Sequence, residues 1–166
     1  MKRTLLAMLL AALVPAVVFA HDDDDDDDEH EGRGARATPT SPQYTAECGS
    51  CHLAYPPRFL PARSWKALLG NLGDHFGQNA EVDPATAKQL EAWLVANAGR
   101  DVPGHTPLRI TGLRWWVKEH DELAPSVFQR KAITSPANCA ACHPGANQGA
   151  FGEHQVKIPR DAAPAR

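Results

Sequence analysis

Methionine is almost absent from this chain: the two that exist, Met1 and Met8, both lie within the first 20 residues. The rest of the sequence offers no thioether to a metal. Cysteine is equally sparse, with four residues, Cys48, Cys51, Cys139 and Cys142. Beyond Phe19 no stretch approaches the roughly 20 consecutive apolar residues that a membrane-crossing helix needs. The basic residues are scattered, without a stripe or a recognisable module, which argues against nucleic acid as a partner.

What is present is concentrated. All four cysteines fall in two copies of one string, Cys48-Gly49-Ser50-Cys51-His52 and Cys139-Ala140-Ala141-Cys142-His143. In a c-type haem attachment site, two thiols two residues apart form thioether links to the porphyrin, and the adjoining histidine reaches the iron from one side. A tetrahedral zinc site or a thiol redox pair needs no histidine directly after both pairs. Ordinary disulfides among the four thiols are the remaining, weaker alternative. The cofactors expected are therefore two haem c groups, attached through Cys48, Cys51, Cys139 and Cys142, with His52 and His143 as fifth iron ligands.

Residues 1–20 read as a signal peptide: Lys2 and Arg3, an apolar run from Leu5 to Phe19, then the small Ala20. This reading places the product in the periplasm, where bacterial haem c is attached, with no membrane span after cleavage; retention of the segment as an anchor is the alternative. Cleavage also removes both methionines. Residues 21–43 form an acidic arm and linker. His21, the run Asp22 to Asp28, Glu29, His30 and Glu31 repel one another and have nothing apolar to bury, so disorder is expected there. A contact with a basic partner or weak cation binding is its functional reading, and a solubilising tail the plainer one. From Gly32 onward 15 Lys and Arg stand against 11 Asp and Glu, a formal +4. Four ionised haem propionates would bring this near neutrality, and Arg58, Arg63, Arg109 and Arg114 are candidate partners for them.

The expected fold class is all-α: a small, mainly helical domain over residues 44–160, with extended loops, an irregular C-terminal segment and a flexible tail at 161–166. Ser64 is a candidate cap for a helix with Trp65, Leu68, Leu69 and Leu72 on one face, which projected forward reaches His75. Asp83 and Pro84 open a second helix with Ala87, Leu90, Trp93 and Leu94 inward and Gly99 past its end. A third is expected from about Thr111 to Leu123, with Leu113, Trp116, Val117 and His120 at helical spacing. So short a domain builds only a modest core. Two covalently held porphyrins would supply the missing apolar volume, and the apoprotein is expected to fold poorly.

The sixth ligands must come from elsewhere than methionine. Six histidines lie outside the two strings. His21 and His30 sit in the charged arm. His75 and His120 fall on apolar helical faces near aromatic residues, which makes them the leading candidates. His154 and the loop residue His105 are reserves, and an open position or a weak ligand such as Asn71, Asn79 or Asn138 stays possible. Sequence proximity pairs His52 with His75 and His143 with His120, although crossing helices would allow exchange. Histidine in place of methionine lowers an iron potential, so the metal ligands His52, His75, His120 and His143 imply two low-potential haems.

These residues resemble the small dihaem cytochrome c family of proteobacteria. The likeness runs through Cys48-Gly49-Ser50-Cys51-His52, Tyr55-Pro56-Pro57, Leu60-Pro61, Ser64-Trp65 and Gly73-Asp74-His75-Phe76-Gly77. It continues through Trp116, Glu119-His120-Asp121-Glu122, Asn138-Cys139-Ala140-Ala141-Cys142-His143 and Val156-Lys157-Ile158-Pro159. It covers about Tyr44 to Arg160 and leaves out the acidic arm. The resemblance implies a periplasmic electron-transfer protein with two bis-histidine haems, His75 and His120 matching the distal ligands. Its implied partners are redox proteins: a membrane cytochrome b of the b561 type and, in some cases, a small oxygen-binding cytochrome c. An electron carrier, not an enzyme, is therefore the expected function. The alternative is a haem enzyme or gas-binding sensor with one open or displaceable sixth ligand. The sequence assigns no oligomeric state.

Overall fold

The computed structural model describes residues 39, 41–101, 103–104 and 106–161. The expected signal peptide, the acidic run and His105 lie outside the described residues. Among those described, four short α-helices are joined by single 3-10 turns and extended loops, with no strand. They are α1 (Pro42–Cys48), α2 (Ala62–Leu69), α3 (Pro84–Ala96) and α4 (Arg114–Lys118). None is long and apolar enough to cross a membrane.

Helix α1 starts inside the segment expected to be linker. Ser41 is its cap, the hydroxyl accepting from the Tyr44 amide at 3.2 Å, and Pro42 supplies a pre-set first turn. Its last residue is Cys48, so the helix carries the first thiol of the first string. Gly49 follows because the chain turns tightly there: a Cβ would collide with the Thr45 carbonyl oxygen.

Helix α2 begins two residues earlier than its expected cap. Pro61, in an extended conformation, offers its carbonyl to the amides of Ser64 at 2.9 Å and Trp65 at 3.3 Å. Ser64 therefore lies within the first turn, fully buried, its hydroxyl without a hydrogen-bond partner. The helix stops at Gly70, and Leu72–Asp74 forms a separate 3-10 turn. His75 is thus not carried on α2, and the projected helical face does not extend to it.

Helix α3 matches its expected start. The Asp83 carboxylate accepts from Ala85 and Thr86 amides, both at 3.0 Å; the Thr86 hydroxyl first, and then these amides, hold this exposed group below the usual carboxylate range. Leu90 and Leu94 are fully buried against α2, each contributing on the order of 1.5–3 kcal/mol of burial. The helix ends at Ala96 with Asn97 as cap, and Gly99 has a different use. Its amide bonds the Leu60 carbonyl at 2.8 Å, and a Cβ would meet the Arg58 carbonyl oxygen.

The third expected helix is broken. Ile110–Gly112 is a 3-10 turn, Leu113 is extended, and α4 runs only from Arg114 to Lys118 before the chain turns. Val117, expected inward, is 52% exposed. Tyr44, Leu60, Trp65, Leu90, Leu94 and Leu113 form the core cluster, with Trp93 and Trp116 packed on it. Residues 151–159 are irregular apart from one turn at Glu153–Gln155, as expected.

Candidate haem sites

The first string follows α1 directly. Cys48 is half-buried, Cys51 exposed, and His52 opens an extended stretch. His52 Nδ1 lies 2.7 Å from the Leu53 carbonyl oxygen. Because a carbonyl only accepts, this contact puts the proton on Nδ1 and leaves Nε2 as the free donor atom for a metal. The Tyr55 ring stacks on His52 at 5.0 Å between centroids.

His75 faces His52 from the turn after α2. The two imidazole centroids are 6.1 Å apart and their planes differ by 21°. A tight turn presents His75: its amide bonds the Gln78 carbonyl at 2.8 Å, and the Gly77 amide bonds the Asp74 carboxylate at 3.0 Å. Phe76 pays for that turn with a left-handed φ of 57°, a conformation costing on the order of 1–3 kcal/mol for a bulky side chain. Its ring stands 4.9 Å from His75 and carries the Arg109 guanidinium 4.0 Å above it. Burial, and then the proximity of His52 and of the Arg109 guanidinium, push the His75 pKa down, which favours the neutral, metal-binding imidazole.

The second string is wound as a 3-10 turn, Cys139–Ala141, closed by the His143 amide on the Cys139 carbonyl at 2.8 Å. The Lys157 amide clips the Cys142 carbonyl at 2.8 Å, bringing the irregular C-terminal segment against it. His143 faces His120 with centroids 6.3 Å apart and planes at 72°. His120 stacks on Trp116 at 4.2 Å, and its Nδ1 lies 2.8 Å from the Trp116 carbonyl oxygen, again leaving Nε2 free. Phe128 closes this side, and Phe151 packs on His143 at 5.2 Å. His143 Nδ1 is buried without a partner. Burial, with His120 beside it, lowers the His143 pKa.

The spacing tests the fit of haem iron. Two metal–imidazole bonds of about 2.0–2.1 Å on opposite sides of one ion place the ring centroids about 6 Å apart, and both pairs stand at that separation. Burial pushes the Cys48 thiol up to about 11, and those of Cys139 and Cys142 upward as well. Among the described residues no group of three or more His, Cys, Asp or Glu side chains converges to hold an ion such as zinc.

The remaining candidates are elsewhere. His154 is exposed in the Glu153–Gln155 turn and makes no ring contact among the described residues. Asn79 bonds Glu81 and Asn138 bonds the Ile133 carbonyl, while Asn71 is exposed in the turn after α2. Of the arginines proposed for propionates, Arg63 pairs with Asp101 at 3.3 Å, and Arg58 and Arg109 lie over Phe59 and Phe76. Sequence reasoning missed the aromatic residues behind the histidines, Tyr55, Phe59, Phe128 and Phe151. Tyr55 and Phe59 bracket a Pro-Pro pair just after the first string, the one local sign of a rigid element there.

Two attachment strings, two facing imidazole pairs and a small helical scaffold define a c-type cytochrome with two haem groups. The chain belongs to the dihaem cytochrome c family, whose model matches residues 44–151. Among solved structures it is similar to a dihaem cytochrome c from Rhodobacter sphaeroides, at 44% identity over 69% of this chain and 99% of that one, with a TM-score of 0.64. A crystal structure of the dihaem cytochrome c purified from the same organism matches at 50% identity over 69% and 99%, TM-score 0.62. A dihaem cytochrome c from Shewanella baltica matches at 39% identity over 74% and 96%, TM-score 0.67. A search of curated proteins returned no match. The cofactors are two haem c groups, and the family is one of electron-transfer haem proteins.

Proposed function

We propose that this protein is a periplasmic electron carrier whose two haems are both bis-histidine and low in potential. Cys48 and Cys51 attach the first haem and Cys139 and Cys142 the second. His52 with His75, and His143 with His120, would hold the two irons. The observation that carries this reading is the spacing of the two imidazole pairs, 6.1 and 6.3 Å. Bound haem supplies one-electron iron chemistry. The chain's own residues do the rest: Leu53 and Trp116 carbonyls orient two of the four imidazoles, while Phe76, Phe128 and Phe151 pack against His75, His120 and His143. Ligands on both faces leave no position for a substrate, so the protein acts by brief docking with other redox proteins over a modest interface. The partners proposed are a membrane cytochrome b of the b561 type and a small cytochrome c.

Redox-titrated optical and electron paramagnetic resonance spectroscopy of the holoprotein tests this. The expected result is two low-spin haems, both with midpoints below about +100 mV, in the lower part of the range open to haem iron. Midpoints above that value contradict histidine ligation. Fast, stoichiometric binding of carbon monoxide to one reduced haem favours the enzyme or sensor alternative.

A further inference from the structure

Both motif histidines lean on one five-residue segment. Tyr55-Pro56-Pro57-Arg58-Phe59 leaves the first attachment string and crosses toward the second. At its start the Tyr55 ring lies on His52, centroids 5.0 Å apart and planes within 25°. At its end Phe59 meets Phe151 at 5.0 Å, edge to face, and Phe151 meets His143 at 5.2 Å. Phe59 also touches Trp115 at 5.3 Å. The Tyr55 hydroxyl donates to the Ala137 carbonyl at 2.7 Å, across 82 positions of sequence and two residues before Cys139.

The segment is held from behind as well. Pro56 and Pro57 are fully buried and have fixed φ. The Tyr44 hydroxyl donates to the Tyr55 carbonyl at 2.9 Å, and the Trp65 indole N–H to the Pro57 carbonyl at 2.8 Å. The α1–α2–α3 core therefore fixes the position of Tyr55 and Phe59, and these fix what they touch. Helix-to-helix packing is greatest between α2 and α3, while α4 packs on its own preceding turn and, through Trp116, on the shared core.

We propose that Tyr55 and Phe59 are positioning residues for electron exchange between the two haems. They form a strut that sets the ring orientation of both motif histidines and the separation of the two attachment strings. A rigid separation keeps the mutual electrostatic influence of the two irons, and the distance an electron must cross, at one value in every molecule. This rests on His52 and His143 being iron ligands, as proposed above. Failure of that reading would be visible in the wild-type holoprotein, as a haem that is not low-spin, before any variant is made.

The test uses full-length holoprotein and three substitutions, Tyr55→Leu, Phe59→Leu and Tyr55→Phe. Haem content and spin state establish that both sites are filled, and the paramagnetic signal and midpoint of each haem are then read. The expected result is that Tyr55→Leu shifts the signal and midpoint of the His52 haem. Phe59→Leu shifts those of the His143 haem through Phe151, the ring that meets both Phe59 and His143. Tyr55→Phe keeps the stacked ring and restores the His52 signal, while loss of the bond to Ala137 changes the separation between the two midpoints. Variants with both haems bound and wild-type signals and midpoints overturn the proposal. If the leucine variants fail to accumulate, Tyr55→Phe decides alone: an unchanged midpoint separation overturns the strut.

Discussion

His120 and His143 face one another 6.3 Å apart with their planes crossed at 72°, whereas the His52 and His75 planes lie within 21° of each other. Crossed imidazoles donate about equally to the two iron dπ orbitals and leave them nearly degenerate. Parallel imidazoles split them. The oxidised holoprotein is therefore expected to give two distinct low-spin paramagnetic signals, with the more anisotropic one belonging to the His120/His143 haem. His120→Ala should abolish that signal and leave the other in place. A single signal integrating to both haems would contradict the crossed geometry.

His75 is held by a turn, not a helix, and among the described residues it is the histidine whose ring faces His52. His75→Ala should open one iron only. The expected outcome is conversion of half the haem to high spin and binding of one carbon monoxide per reduced protein, read optically. Retention of two low-spin haems would remove His75 from the ligand set.

The Tyr55 phenol is half-buried, and burial, with the Cys139 thiol adding to it, pushes it up from 10.0 to about 12. A raised pKa means the folded state favours the protonated phenol, the form that donates to Ala137. Its contribution to stability is thus fully present below about pH 10 and is lost as pH rises toward 12. Urea midpoints measured across this window should show the wild type converging on Tyr55→Phe, which has no phenol to ionise. Parallel curves would contradict the assignment. The thioether formed by Cys139 removes that residue's charge; burial, the larger cause, remains and keeps the sign.

Two large side chains should separate stability from haem chemistry. Leu94 is fully buried where α3 packs on α2; Leu94→Ala should cost about 3 kcal/mol with haem spectra unchanged. Trp116 is half-buried, stacks on His120 and supplies the carbonyl at its Nδ1. Trp116→Ala should cost about 3 kcal/mol or less, because the ring is only partly buried, and should also perturb the His120 haem. Denaturation curves paired with spectra of the same samples distinguish the two.

The helix starts that the sequence marked well are those set by chemistry within a few residues. Asp83-Pro84 caps α3 because a carboxylate two and three residues upstream of free amides needs nothing distant to bond them. Ser41-Pro42 carries the same kind of signal, hidden by the Pro- and Thr-rich stretch before it. Ser64 misleads, since the Pro61 carbonyl opens the helix earlier and the serine is buried for packing. Helical phase brought His75 and His120 forward, yet neither is on a helix. Their positions come from turns, which set each of them about 6 Å from a motif histidine; apolar spacing marks which residues face inward even where the helix fails.

Composition and local order determined that two haem c groups are bound and that no methionine lies beyond residue 20, since covalent attachment needs only two thiols and a histidine in series. Tertiary structure decided which imidazoles meet, at what angle, and through which aromatic side chains the two sites touch. Those relations join residues as far apart as Tyr55 and Ala137, and packing between distant segments leaves no periodicity to read along the chain.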